Sequence, residues 1–264
     1  MKNFKYMPIV PIEHFELLKE QDGYLILVQL LKNPVYRDFY LNRDKNMFTI
    51  LDNGQYEGYN CTDEELWEAC KLIKPDVVCA PDAFMDKEET IKRTVNFFTY
   101  VMSNNKEEDL KNIQFMVIPH GNTPEEFLDC LNKMRVDSLR NKCFYKWIGL
   151  SKLGVLNAFK SRKKCIEYLK KKGYPLEKYN YHFLGCNEPR EIVDAYESGA
   201  KSMDSCLPVL YASEHKIMPL DVNLKDRIKT PKDYFDRKLS DPELNIAWYN
   251  IIELKNLLKG KDIF

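Results

Sequence analysis

No two cysteines of this chain form a C-x-x-C pair, although there are eight in 264 residues, and none stands at tight zinc-ligand spacing from a histidine. A compact zinc module is excluded. The cysteines read instead as reduced, buried residues of a cytosolic protein, as in the apolar run VVCAPD. No run is long enough to cross a membrane, and the opening MKNFKYMPIVPIEHF lacks the apolar stretch of a signal peptide, so a soluble, cytoplasmic protein is expected. Net charge is also missing: 40 basic residues balance 40 acidic ones. Overall charge therefore says nothing for or against nucleic acid, and a local basic patch would have to do that. There is no linker, internal repeat or low-complexity segment, and no glycine-rich phosphate loop.

What the chain does contain is alternation. Short apolar runs that suit buried strands fall at 24–29, 47–52, 76–82, 114–120, 146–151, 181–186 and 201–206. Helical patterns lie between them. TDEELWEACKLI opens on Thr62 with Glu65 three residues on, and TPEEFLDCLNKM opens on Thr123 with Pro124 and Glu126. EPREIVDAYESGA closes on Gly199. At least six strand–helix alternations predict parallel βαβ units. The strand count and the missing phosphate loop favour a closed (β/α)8 TIM-type barrel, an α/β fold, over an open doubly wound sheet. One domain over 1–264 is expected, irregular at its last strand, for which HKIMPLDV (215–222) is the candidate. An amphipathic helix is expected over 241–260, with Asp241 as its cap and Pro242 in its first turn.

Barrel active sites form at the C-terminal strand ends. The runs deliver Asp52, Asp82, His120, the Gly149–Leu150–Ser151 stretch, Gly185 with Asn187, and Asp204 to that face. Each has a plainer reading. Asp52-Asn53-Gly54 makes a turn, Asp82 can cap the next helix, and His120 can be a satisfied core histidine. Asp204 is harder to dismiss, because it lies inside a strand between Met203 and Cys206. A carboxylate buried there needs a partner or a task.

The stretch YHFLGCNEPREIVDAYESGAKSMDSCLP (181–208) resembles the tRNA-guanine transglycosylases and their DNA-modifying relatives. The family has a glycine-containing turn after a strand, a Pro-Asp/Glu helix start, a helix ending in G-x-D, and F-D-C-x-x-P. LDNGQYEG, VVCAPDAF and WIGLS are similar to further family motifs, so the likeness spans about residues 47 to 210. The family exchanges guanine in a nucleic acid for a 7-deazaguanine. The resemblance implies that Asp204 is the nucleophile at C1′ and that Asp52 is the general acid/base. It also implies that Asp82, Tyr56, His120, Gly149, Leu150 and Gly185 bind the base. No cofactor is implied, and the family's habit of pairing makes a homodimer an expectation.

The chain departs from the family in places. Downstream of Asp204 only Cys206 and His215 remain of a C-x-C-x-x-C…H zinc site, so no metal is expected. VLYASEHK replaces a basic segment after the nucleophile, Gln55 replaces a glycine, and Ile148 replaces another. In this the chain resembles the small zinc-free DNA transglycosylases of phages and bacteria, which favours DNA over tRNA as substrate. The basic run KSRKKCIEYLKKKG, with Lys160, Arg162, Lys163 and Lys164, offers phosphate contacts, although a solvated helix face explains it equally well. Three alternatives stand beside this reading: an enzyme of RNA or free nucleosides, a non-catalytic nucleic-acid-binding paralogue, and a two-carboxylate barrel hydrolase.

Overall fold

The computed structural model describes residues 4–19, 21–104, 112–140, 145–219 and 230–260. Its first half runs β1 (Lys5–Pro8), β2 (Gly23–Leu27), α1 (Pro34–Leu41), β3 (Phe48–Asp52), α2 (Asp63–Ile73), β4 (Val77–Cys79), α3 (Lys87–Asn104) and β5 (Gln114–Val117). There follow α4 (Pro124–Arg140), β6 (Tyr145–Ser151), α5 (Lys152–Phe159), α6 (Arg162–Lys171), β7 (Asn180–Leu184), α7 (Pro189–Ser198), β8 (Ser202–Ser205), α8 (Leu207–Ala212) and α9 (Asp241–Gly260).

The eight strands form one parallel sheet in the order β1-β8-β7-β6-β5-β4-β3-β2, curled into a (β/α)8 TIM-type barrel with one unsealed seam. The seam lies between β1 and β2. Lys5 Nζ crosses it to donate to the Asp22 carbonyl at 3.4 Å. Gly23 sits against it, where a Cβ would meet the Phe48 carbonyl at 2.8 Å and the Met7 side chain at 3.3 Å.

Strand periodicity divides the core in two. Met7, Leu25, Ile50, Val77, Met116 and Trp147 point inward and fill the barrel. Tyr6, Ile26, Leu51, Val78, Ile148 and Phe183 point outward under the helices. Trp147 stacks on Phe48 with centroids 5.5 Å apart, and its indole donates to Gln114 at 2.7 Å. Apolar Phe48 and Ile50 thus occupy the inward positions that precede Asp52 along β3.

Helix starts follow the sequence signals. Thr62 accepts from the Glu65 amide at 3.1 Å, and Thr123 accepts from the Glu126 amide at 3.2 Å. Gly199 ends α7 with φ +85°. Asp86, not Asp82, caps α3, through the Glu89 amide at 3.0 Å.

Two expectations are corrected. The remaining strand is β1, at the N-terminal end, and not 215–222. Residues 215–219 are not strand, and 220–222 lie outside the described residues. The Met218 amide is committed to Asn250 on α9 at 2.8 Å, so it cannot join a ladder. The cap of α9 is Ser240, one residue before Asp241: its hydroxyl and amide both bond Glu243, at 2.8 and 2.7 Å. Among the described residues, no helix is long and apolar enough to cross a membrane.

Candidate active site

The C-terminal strand ends and their loops enclose a pocket of about 230 Å³. Asp52, Asp82, His120, Ser151, Gly185 and Asp204 all border it, with Tyr56, Glu57 and Phe84 at its mouth. Asp52 and Asp204 reach it from β3 and β8, on well separated strands of the sheet.

Asp204 is the more tightly held of the two. Its Oδ1 lies 3.0 Å from His182 Nε2, and the Gly185 amide donates to Oδ1 at 3.1 Å and Oδ2 at 3.0 Å. Gly185 has φ +61°, the left-handed conformation that glycine adopts without strain, and the chain turns there directly after its amide meets the carboxylate. The Cys186 amide donates to the Asp204 carbonyl at 2.9 Å, and Ser205 Oγ donates to the Cys186 carbonyl at 2.6 Å. The ends of β7 and β8 are thereby stapled around the carboxylate. A buried carboxylate with these donors is partnered, which answers the cost of placing it inside a strand.

Asp52 is buried with fewer donors. Its Oδ2 accepts from the Gly54 amide at 3.1 Å, in a turn where Gly54 has φ +77°. Burial pushes its carboxyl up to about 7, with the Asp82 and Asp204 charges adding to the effect; the Gly54 amide and the Cys79 thiol oppose it. Asp52-Asn53-Gly54 forms a turn, and from that turn Asp52 borders the pocket. Glu57 stands at the mouth. The removal of water from its carboxyl, and then the Asp52 and Asp204 charges, push it up to about 8.

Asp82 is engaged on both oxygens. Asn53 Nδ2 donates to Oδ1 at 2.9 Å, and His120 Nε2 lies 2.7 Å from Oδ2. Among the described residues, the Nδ1 of His120 and the Oγ of Ser151 are buried without a hydrogen-bond partner. Both lie 2.6 Å from where a Cβ on Gly154 would fall, so the missing side chain there makes their room. Arg93 ties the rim together, donating to Gln55 at 3.0 Å, Asn60 at 3.1 Å and the Asp82 carbonyl at 3.2 Å. Gln55 thus anchors the loop carrying Tyr56, which is 69% exposed over the mouth.

Several candidates fall elsewhere. Gly149 lies inside the barrel below the pocket, where a Cβ would meet Met116, Ile118 and Leu184 at 2.9–3.0 Å. Leu150 points outward into the helix layer, and its carbonyl accepts from Arg162 at 3.1 Å, so it has no free backbone group to offer. Ser151, Lys152 and Leu153 border the pocket instead. Gly185 does border it, but its amide serves Asp204.

Arg162 is buried. It donates to the Leu150 and Leu184 carbonyls at 3.1 and 2.6 Å, pairs with Glu191 at 2.8 Å, and lies 4.9 Å from the Phe183 ring centroid. It shares one face of α6 with Cys165, Ile166 and Leu169, a spacing that was visible in the sequence. It is a wall anchor and not a phosphate ligand. Lys160 and Lys164 are exposed, while Lys163 pairs with Glu197 at 3.0 Å.

The sequence reading missed His182 and Ser202. His182 Nδ1 lies 2.7 Å from Ser202 Oγ, its direct partner in the β7–β8 ladder. The usable signal was parity. His182, Ser202 and Asp204 are polar residues at inward positions of their strands. Lys152 was missed as well; it pairs with Glu188 and Glu191 at 3.0 and 3.2 Å on the pocket wall.

Fold and site together define a (β/α)8-barrel protein with an acidic pocket at its strand-end face. No known family model and no curated protein sequence matches the chain.

Proposed function

We propose that the protein is a nucleic-acid guanine transglycosylase, a pentosyltransferase that exchanges guanine for a 7-deazaguanine base in DNA. One observation carries the reading: Asp204 and Asp52 open onto the same pocket from separate strands, one firmly hydrogen-bonded and one with its carboxyl raised to about 7. Base exchange needs this inequality between two carboxylates.

In the first half-reaction, an Asp204 oxygen bonds C1′ as the C1′–N9 bond breaks. The departing electron pair stays on the guanine, which takes a proton from Asp52. In the second half-reaction the incoming base gives its N9 proton to Asp52 and takes C1′ from Asp204. The free carboxylate is restored, and no oxidant, reductant or cofactor is consumed.

A pocket of about 230 Å³ suits one heterocyclic base, with the polymer outside. His120 and Ser151 line the pocket, and their Nδ1 and Oγ, buried behind its surface without a partner among the described residues, become available to such a base when the wall side chains shift. Tyr56 lies open at the mouth to stack on it. A base in a stacked duplex cannot reach this depth, so the target is flipped out or presented single-stranded. Lys160 and Lys164 are the exposed cations for phosphate contact. Such a substrate puts the activity in the cytoplasm of a bacterial or phage-infected cell, and pairing of two chains belongs to the same resemblance.

The experiment is base exchange measured with guanine-labelled duplex DNA, single-stranded DNA and tRNA, each with a 7-deazaguanine. Release of label from DNA alone supports the proposal. Release from tRNA alone moves the activity to RNA. Loss of exchange in Asp204→Asn supports the nucleophile, and retained exchange in that variant removes it.

A further inference from the structure

We infer that His182, backed by Ser202, is the positioning residue that orients Asp204 and decides which of its oxygens reacts. The inference rests on the transglycosylase reading for the reaction, but the arrangement itself stands on geometry alone.

Three inward-facing residues of adjoining strands form one chain of hydrogen bonds. Ser202 Oγ lies 2.7 Å from His182 Nδ1, and His182 Nε2 lies 3.0 Å from Asp204 Oδ1. His182 and Ser202 are fully buried, and neither borders the pocket, whereas Asp204 does. The serine is therefore not a nucleophile. It sits behind the ring, on the side away from the carboxylate.

The proton positions follow from the end of the chain. An ionised carboxylate only accepts hydrogen bonds, so Nε2 carries the proton that points at Oδ1. Ser202 fixes the ring through Nδ1 and prevents a flip that would turn carbon toward Asp204. The Gly185 amide is shared between both carboxylate oxygens, at 3.1 and 3.0 Å, and does not distinguish them. His182 does. Among the described residues, Oδ1 holds two donors and is turned toward the buried ring, while Oδ2 holds the shared amide alone. Oδ2 thus keeps the freer lone pair, and it forms the bond to C1′ as the C1′–N9 bond breaks and Asp52 protonates the base. An oriented oxygen of this kind contributes through geometry, where small misplacements are costly.

Two measurements test this. The first needs no substrate: long-range ¹⁵N–¹H correlation on histidine-labelled wild-type protein, with His182→Gln to assign the signal. A slowly exchanging proton on His182 Nε2, shifted in Asp204→Asn, is the expected result. An Nε2 without a proton, or a signal indifferent to Asp204→Asn, overturns the inference.

The second is single-turnover formation of the covalent nucleic-acid adduct, with folding checked by thermal melting. His182→Phe is expected to slow adduct formation about 100-fold with KM for the nucleic acid unchanged. Ser202→Ala is expected to slow it about tenfold, and His182→Gln, which can still donate to Oδ1, to recover most of the rate. Wild-type rates in a folded His182→Phe protein overturn the inference. If His182→Phe does not fold, Ser202→Ala and the wild-type spectrum decide. If the Nε2 proton is present but wild-type protein forms no adduct, the orienting role stands and the transglycosylase reading falls.

Discussion

His120 and Asp82 form a buried pair, with Nε2 of the one 2.7 Å from Oδ2 of the other, and the second oxygen of Asp82 is taken by Asn53. Both carboxylate oxygens thus already hold protein donors. Asp82 contributes to the pocket by fixing His120 and Asn53, and the group His120 has left to offer is Nδ1. Asp82→Ala would strip buried His120 Nε2 of its partner and take one of the two bonds of Asn53 Nδ2, which keeps the Ala80 carbonyl. It is expected to lower stability by about 3 kcal/mol. Urea denaturation checks this through the midpoint at an unchanged m-value. A loss under about 1 kcal/mol would show that the pair does not support the loop.

The raised carboxyl of Asp52 gives stability a slope with pH. Folded protein keeps the Asp52 proton up to about 7, while an unfolded chain releases it near 3.8. Between those values the folded state binds the extra proton, so this contribution is complete below 3.8 and is lost as pH rises through about 7. From pH 5 to pH 8 the loss amounts to roughly 2–3 kcal/mol. Asp52→Asn removes the slope and is expected to be the more stable protein at pH 8. The difference between wild-type and Asp52→Asn denaturation curves at the two pH values isolates the Asp52 part.

The same proton sets an activity limb. In the proposed reaction, protonation of the departing guanine would use the Asp52 acid form, which is lost above about 7. Covalent adduct formation is expected to slow as pH rises through that value. Asp52→Asn is expected to be slow throughout, with no limb near 7. A pH profile of single-turnover rates separates the outcomes. A wild-type rate independent of pH between 5 and 9 removes Asp52 as the proton donor.

Gly154 tests whether the room around His120 is used. A methyl group there would stand 2.6 Å from both His120 Nδ1 and Ser151 Oγ. His120 cannot retreat easily, since it is fully buried and held by Asp82. Gly154→Ala is expected to cost about 1–3 kcal/mol of stability. It is also expected to raise KM for the free base more than it lowers kcat, because the change crowds the binding wall and leaves Asp204 untouched. An unchanged KM would place the base elsewhere in the pocket.

The barrel was legible because seven strands carry apolar runs, and their ends line up with the polar residues the sequence singled out. The remaining strand was not. Lys5–Pro8 has four residues, one of them proline, and gains its ladder only by meeting β8, about 200 residues further on. Asp52, Asp82 and Asp204 were legible as strand-end carboxylates. Their partners were not, because a contact such as His182 with Asp204 depends on the register between strands, which no local pattern specifies. Gly149 and Leu150 show the reverse error. Position at a strand end was read correctly, but strand parity turns one residue into the barrel floor and the other away from it.

The basic run at 160–164 offers a last contrast, between neighbours that look alike in sequence. Arg162 closes the wall between β6 and β7, where its guanidinium serves two carbonyls and Glu191. Lys160 and Lys164 lie exposed. Among the described residues, Arg162→Met leaves Glu191 with Lys152 as its one charged partner and frees both carbonyls. It is expected to destabilise the fold by about 3–5 kcal/mol. The double change Lys160→Glu, Lys164→Glu removes nothing from the core and is expected to leave stability within about 0.5 kcal/mol. Its effect should appear in nucleic-acid affinity, as weaker binding at low salt and a smaller slope of log K against log salt by about 1–2. Binding isotherms at several salt concentrations, set beside denaturation curves for the same variants, decide between wall and phosphate ligand. A reduced slope in a folded Arg162→Met protein would return that arginine to the nucleic-acid face, and an unchanged slope in the lysine pair would take the face elsewhere.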